Sequence, residues 1–220
     1  MKAFLFTSLV GLIFTCLNSA QEPKTEPQTS PNELFRQGVD AFFDADIATS
    51  AKAFDELVEL VPDAKPQLWQ RGLTLYYADR FEEGRDQFEV HQTYNTNDVE
   101  NAAWHFLCVA RAESVEAARK NFIPIKGDSR VPMSEVHQLF AGTGSADEVL
   151  KAAEAGSGAD HRNHRCYAHL YLGLYFEAIG DKEKAKHHML LAANDYSIDH
   201  YMGKTAQVHV KVRGWDKEAD

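Results

Sequence analysis

Cysteine is scarce, with three in 220 residues, too few for the disulfide framework that holds small secreted scaffolds together. Cations are the rarer charge: 23 Lys and Arg stand against 33 Asp and Glu, a formal charge of −10. Such a chain repels a phosphate backbone and anionic lipid unless its basic residues are strongly segregated, so no nucleic acid partner is expected. Three familiar patterns are missing: a Gly-x-Ser-x-Gly elbow, a His-Glu-x-x-His pair, and a Gly-rich phosphate loop followed by Lys-Ser/Thr. Catalytic groups can also be assembled from distant segments, but on these absences the chain is expected to be no enzyme and to need no cofactor. What is present, 44% hydrophobic, 25% charged and 11% aromatic residues, is the composition of one folded body with a core.

Met1-Lys2, the uncharged stretch Ala3 to Leu17 and the small or polar Asn18-Ser19-Ala20 read as a secretory signal peptide over residues 1–20, cleaved after Ala20. The apolar stretch is shorter than the roughly 20 residues a membrane span requires, so no transmembrane span is expected in the mature chain. The protein is therefore expected to be exported, periplasmic or secreted. Cys16 offers lipid tethering as a lesser alternative, because Ile13-Phe14-Thr15 are bulkier than that processing prefers. Residues 21–31 hold Pro23, Pro27 and Pro31 and no large apolar side chain, the composition of a flexible linker. Cys108 and Cys166 are expected as small buried residues on helices, with a disulfide between them left open.

From residue 32 to 215 apolar residues recur at three- and four-residue intervals, which predicts a mainly α-helical domain followed by a short tail, 216–220. Sliding the chain by 34 residues pairs Leu34 with Leu68, Gly38 with Gly72, Phe42 with Tyr76, Phe43 with Tyr77, Ile47 with Phe81, Ser50 with Gly84 and Phe54 with Phe88. The small pairs would let two helices approach closely, and the Phe pair would fill the space between one helix pair and the next. Late in the chain Tyr171-Leu172-Gly173-Leu174-Tyr175-Phe176 is followed by Gly180-Asp181, then Ala185, Met189 and Ala192. On these residues the chain resembles the tetratricopeptide repeat family. Units fall near 31–64, 65–98, 101–122 and 166–195. The first closes with Pro62 at the family's proline position, where the second has Thr96. The third, with Trp104, Leu107, Cys108 and Ala118, is degenerate and about two residues short in its turn. The resemblance implies an all-α, right-handed superhelix of antiparallel helix pairs.

Residues 123–160 break the period. Ile123-Pro124-Ile125 and Val131-Pro132-Met133 bracket an expected exposed loop, and two short helices follow, the second marked by Ser145 and Glu148 at capping-box spacing and by Gly156 beyond it. Tyr201, Thr205, Val208, Val212 and Trp215 form a helical stripe, so a final helix is expected to cover the last repeat.

Three groups of residues are candidates for function. His161, His164, Cys166 and His169 supply ligand types that Zn²⁺ or Cu accept, although their spacing does not place all four on one helix face. Asp128 and Arg130 could aim a carboxylate and a guanidinium at a substrate from the insertion, against the plainer reading of a solvated ion pair. The family resemblance implies a third: the first helix of each unit lines a concave face that grips a protein or peptide. Its matching positions are Phe35, Phe42, Trp69, Tyr76, Tyr77, His105, Tyr167 and Glu177. Aromatic side chains suit binding hot spots, yet aromatic stripes at helical spacing are more often core. The family's Asn/Lys/Arg pattern for clamping a terminal carboxylate has no match here. The expected function is thus a non-catalytic protein- or peptide-binding module.

Overall fold

Ser30 begins the first helix by a reciprocal cap: its hydroxyl accepts the Glu33 amide at 3.3 Å while the Glu33 carboxylate accepts the Ser30 amide at 2.9 Å. Pro31, whose fixed φ suits a first helical position, follows at once. The computed structural model describes residues 29–216. The expected signal peptide, the Cys16 tether, nearly all of the linker and the tail after Asp216 lie outside the described residues.

Eleven α-helices and one 3-10 segment make up the described chain: α1 Pro31–Phe43, α2 Ile47–Leu60, the 3-10 segment Pro62–Gln67, α3 Trp69–Tyr77, α4 Phe81–His91, α5 Val99–Ala112, α6 Val115–Lys120, α7 Met133–Ala141, α8 Ala146–Ala153, α9 Gly158–Ala178, α10 Lys182–Ala193 and α11 Tyr201–Arg213. No strand occurs among the described residues, and no helix there is long and apolar enough to cross a membrane. The fold is all-α, and neighbouring helices pack in pairs.

Three pairs, α1/α2, α3/α4 and α9/α10, are built alike. Each has a glycine in its first helix facing a large side chain sixteen positions later. A methyl group on Gly38 would sit 2.8 Å from the Phe54 ring, one on Gly72 2.5 Å from the Phe88 ring, and one on Gly173 3.0 Å from the Met189 terminal carbon. Seven positions after each glycine the backbone turns left-handed, at Ala45, Asp79 and Gly180. The next amide then reaches back to the preceding helix: Asp46 to the Ala41 carbonyl at 2.9 Å, Arg80 to Leu75 at 3.0 Å and Asp181 to Phe176 at 2.9 Å. These bonds satisfy carbonyls that a helix end leaves open. Adjacent pairs are tied by Ser50, whose hydroxyl donates to the Gly38 carbonyl at 2.7 Å and lies 2.9 Å from the Thr74 hydroxyl.

The pair α5/α6 departs from this plan. Glu113 at its turn keeps a negative φ, and Ser114 caps α6 directly, so the turn is tighter and the second helix short. The insertion supplies α7 and α8, joined through left-handed Gly142 and the Ser145/Glu148 capping box.

The last helix does more than cover the final pair. Besides packing on α9 and α10, α11 returns to α1 and, through side chains, to α3: the Tyr201 ring lies 4.7 Å from Phe43 and 4.6 Å from Trp69, and stacks on Phe42 at 6.0 Å. Its buried Met202, Ala206, Val208 and Val210 join one core that extends from Phe42 to the far end of the chain, while Leu34, Phe54, Leu57 and Leu68 form a smaller cluster beneath the first pair. A fully buried Leu or Phe is worth about 1.5–3 kcal/mol, so these contacts fasten α11 to α1.

Candidate ligand-binding cleft

The cleft is organised around the start of α5. Asp98 caps that helix, its carboxylate accepting the Glu100 amide at 3.0 Å. The loop after α6 folds back so that Asp128 accepts the Val99 amide at 3.2 Å. Arg130, on the same loop, spans three carboxylates: Asp98 at 2.6 Å, Asp128 at 2.5 Å and Glu100. From the other side Tyr171 on α9 donates its hydroxyl to Glu100 at 2.8 Å. Asp128 is therefore not the solvated loop residue its surroundings in sequence suggest, since its side chain is only 5% exposed. Proximity to the α5 amide and to Arg130 explains this: the bonds offset the cost of removing a carboxylate from water.

Electrostatics separate Glu100 from Asp128. Burial pushes the Glu100 carboxyl up to about 7, with the Arg130 charge opposing the rise and the Asp98 charge adding to it. Burial acts in the same sense on Asp128, but hydrogen bonds and charge from Arg130 outweigh it and hold that carboxyl below the usual range.

Beside this cluster lies a cavity of about 190 Å³, lined among others by Trp69, Trp104, Tyr201, Asp98, Glu100 and Asn101. His200 also lines it, and borders a second hollow of about 470 Å³ that includes Arg130, Tyr167 and Asp199. The loop carrying His200 is seated by Gly203, where any side chain would collide with the Ile198 carbonyl. Three lining residues of the smaller cavity keep a buried polar atom with no partner among the described residues: Trp104 Nε1, Asn101 Oδ1 and Tyr201 Oη. The Asn101 amide nitrogen is committed, donating to the Phe88 carbonyl at 3.2 Å and to Gln92 at 2.7 Å, which leaves its oxygen free to accept.

The residues expected on a concave binding face are placed very differently from one another. Trp69 lines the smaller cavity and Tyr167 the larger hollow, where its hydroxyl lies 3.2 Å from His200 Nδ1. Phe42, Tyr76 and Tyr77 are buried in the core. The Tyr76 hydroxyl donates to Glu177 at 3.0 Å, and Glu177 accepts from Arg213 at 2.5 Å, so this acid serves to dock α11. His105 is buried against α4, with Nε2 3.2 Å from Glu89. Phe35 packs edge-on against Phe54, away from the cleft. Of these eight residues, Trp69 and Tyr167 border the two hollows described above.

The histidines do not converge on one point. His161 faces Glu154 at 3.3 Å and His164 the Ala155 carbonyl at 2.7 Å. His169 pairs with His188 at 2.8 Å, inside a stack that continues to Tyr196 on one side and Phe176 on the other. Cys166 is buried near the Ala192 carbonyl; it and Cys108 are free thiols. Among the described residues no group of three or more His, Cys, Asp or Glu is placed to hold a metal ion.

Asp98, Glu100, Asn101, Trp104, His200 and Tyr201 were not singled out as binding residues by the sequence. One signal was present: Glu100-Asn101 stand at the head of the otherwise apolar stretch Val99 to Val109, where buried polar side chains need a reason. No family model matches the chain.

Proposed function

We propose that this protein is an exported, tetratricopeptide-like helical repeat protein that acts as a non-catalytic module binding a segment of another protein. The repeat reading is supported by the shared plan of three helix pairs, with glycine, left-handed turn and large facing side chain at the same offsets. The binding reading is carried by one observation: aromatic and acidic residues of α3, α5 and α11, Trp69, Asp98, Glu100 and Tyr201 among them, line one cavity. Because the walls belong to packed helices, docking would order little of the protein itself.

A catalytic reading draws on the raised Glu100 carboxyl beside Arg130. Against it, each Glu100 oxygen is already bonded, one to Arg130 and one to Tyr171, which leaves neither free to exchange a proton with a substrate.

Site-specific photo-crosslinking in the native cell tests the binding reading. A crosslinker at exposed Asn163, beside the larger hollow, is expected to give a discrete protein adduct that one at exposed Glu59 on α2 does not. Equal labelling from both positions, or none from either, would remove the proposal.

A further inference from the structure

A column of stacked side chains runs along the seam between α9 and α10. The Arg165 guanidinium stands 4.9 Å over the Tyr196 ring, and its Nη2 donates to the Tyr196 hydroxyl at 3.0 Å. Tyr196 stacks on His169 at 5.2 Å with the rings 8° from parallel, and His169 stacks on His188 at 5.1 Å. His188 stacks in turn on Phe176 at 5.5 Å, and the Lys184 ammonium closes the far end 5.0 Å from that ring. Two imidazoles thus lie mid-column with a cation at each end. They share one hydrogen bond, Nδ1 to Nδ1 at 2.8 Å, which holds a single proton between the two nitrogens.

Nothing around the pair welcomes a positive charge. Arg165 on α9 and Lys184 and His187 on α10 all oppose one. Acids of the neighbouring elements are bonded elsewhere: Glu154 at the end of α8 to Arg165 and His161, Asp181 to Lys184, and Glu177 to Arg213 and Tyr76. From α11, His209 faces Tyr77 and Glu177 instead, and Glu183 and Asp195 are exposed. His169 Nε2 is buried with no partner among the described residues, so an imidazolium there would carry an N–H without an acceptor. Burial together with these charges holds His169 down to about 3 and His188 down to about 4.

Of the six members of the column only Tyr196 stands outside a helix. It belongs to the connector 194–200 between α10 and α11, whose other side-chain ties are exposed: Arg162 donates to the Asp195 carbonyl at 2.8 Å, Gln207 to the Ser197 hydroxyl at 3.0 Å, and the Tyr167 hydroxyl lies 3.2 Å from His200. The helices themselves are locked by the close approach of Gly173 to Met189. Displacing Tyr196 uncovers one face of His169 and lets water take up the charge that the column rejects. We propose that the His169–His188 pair is an acid-sensitive latch, which on taking up protons releases the connector 194–200 while α9 and α10 stay packed. Ile198, Asp199 and His200 of that connector line the larger hollow, and His200 the smaller cavity as well, so release reshapes both. The latch goes beyond the binding reading and does not rest on it.

Thiol labelling tests the latch, because one free cysteine lies beneath the connector and the other away from it. Cys166 is buried with its sulfur 3.8 Å from the Ala192 carbonyl and beside the Ile198 backbone, whereas Cys108 is buried on α5 against Gly84 of α4. The protein is treated with 4,4′-dithiodipyridine at pH 6.0 and 5.0, at concentrations where the rate is proportional to reagent. Labelled peptides are identified by mass, and each rate is divided by that of a free cysteine peptide at the same pH. One linked proton raises the opening constant by at most about tenfold per pH unit, and two by at most about a hundredfold. The Cys166 rate is therefore expected to rise by more than about tenfold, while Cys108 stays unlabelled over the same period. His188→Gln leaves one titrating ring in the pair, and its rise is expected to stay below about tenfold. A wild-type rise of about tenfold or less, or labelling of Cys108 in step with Cys166, would overturn the latch, and both are read on the unaltered protein. The wild-type rise persisting in His188→Gln would overturn the histidine pair as its origin.

Discussion

The Tyr77 hydroxyl lies 3.0 Å from His209 Nδ1, joining α3 to α11 across 132 positions of sequence. Both side chains are buried, and the imidazole also faces Glu177 at 3.7 Å and the Trp215 ring. With Tyr76, Glu177 and Arg213 the pair makes a polar seam inside an apolar interface. Its bonds fix how the last helix returns to the first pairs, and so where Tyr201 and His200 stand beside the cleft.

Tyr77→Phe removes one oxygen and leaves His209 Nδ1 buried without its partner. Loss of a buried partner costs about 1–3 kcal/mol, and in a domain of this size each kcal/mol lowers Tm by about 2–4 °C. Thermal unfolding followed by circular dichroism should show a drop within that range. An unchanged Tm would mean that the seam adds nothing to the docking of α11.

Acid should destabilise the fold well before ordinary carboxylates protonate. Burial drives His169 down to about 3, with the His188 charge adding to the effect, and drives His188 and His209 down to about 4. In the unfolded chain these groups titrate near 6.5. Between those values the unfolded state binds more protons, so their contribution is complete above about 6.5 and is lost as pH falls toward 4 and 3. Urea midpoints measured from pH 7.5 to 4.5 should decline steadily. His188→Gln keeps a polar group facing His169 and should make that decline shallower; an equal slope would exclude the stacked pair as a cause.

Glu100 acts in the opposite direction. Its carboxyl is raised from 4.5 to about 7 in the fold, so between those values the folded state holds the extra proton and stability falls as pH rises. Three histidines outweigh one carboxylate over their common window, which leaves the acid loss as the net effect. Glu100→Gln removes the opposing contribution and should steepen the loss between pH 6.5 and 4.5. The same slope in both proteins would show that Glu100 does not titrate there.

Helix pairs were legible in the sequence because they are local. Gly38 with Phe54 and Gly72 with Phe88 lie sixteen residues apart, and each turn is decided by a handful of neighbours. The cleft was not, because its bonds are distant: Tyr171 meets Glu100 across 71 positions and Arg130 meets it across 30. Such contacts depend on how one pair is rotated on the next and on the return of α11, neither of which leaves a periodic trace. Aromatic spacing therefore picked out Trp69 and Tyr167, which border the cleft, and equally Phe42, Tyr76 and Tyr77, which fill the core. Asp128 and Arg130 stood out as a pair, but their anchorage on α5 required a hydrogen bond to Val99.

Equivalent glycines should respond equivalently. Gly72→Ala places a carbon 2.5 Å from the Phe88 ring and Gly38→Ala one 2.8 Å from the Phe54 ring, so each is expected to cost about 1–3 kcal/mol through overpacking. Phe88→Leu in the Gly72→Ala background should recover part of that loss, because the obstructing ring is gone. Denaturant titrations of the single and double variants supply the coupling. Strict additivity would show that the loss comes from the backbone rather than from crowding against Phe88.

Arg130 holds the loop after α6 onto the head of α5, and its removal should free that loop. In Arg130→Gln the acids Asp98, Glu100 and Asp128 face one another without a neutralising charge. Arg130 is 44% exposed, so water screens part of the repulsion and the loss of global stability should stay at about 1–2 kcal/mol. The local effect should be larger, because this guanidinium bonds loop and helix together. Lys126, exposed in the same loop, offers a trypsin site that reports detachment. Limited digestion should cut after Lys126 several-fold faster in the variant than in the wild type, while cleavage at exposed Lys52 on α2 keeps its rate. Arg130→Lys restores the charge without the fork that reaches three carboxylates and should fall between the two. Equal cleavage after Lys126 in all three proteins would show that the loop is held by its apolar contacts, Phe122 and Ile125 packed on the core, and that Arg130 serves the cleft alone.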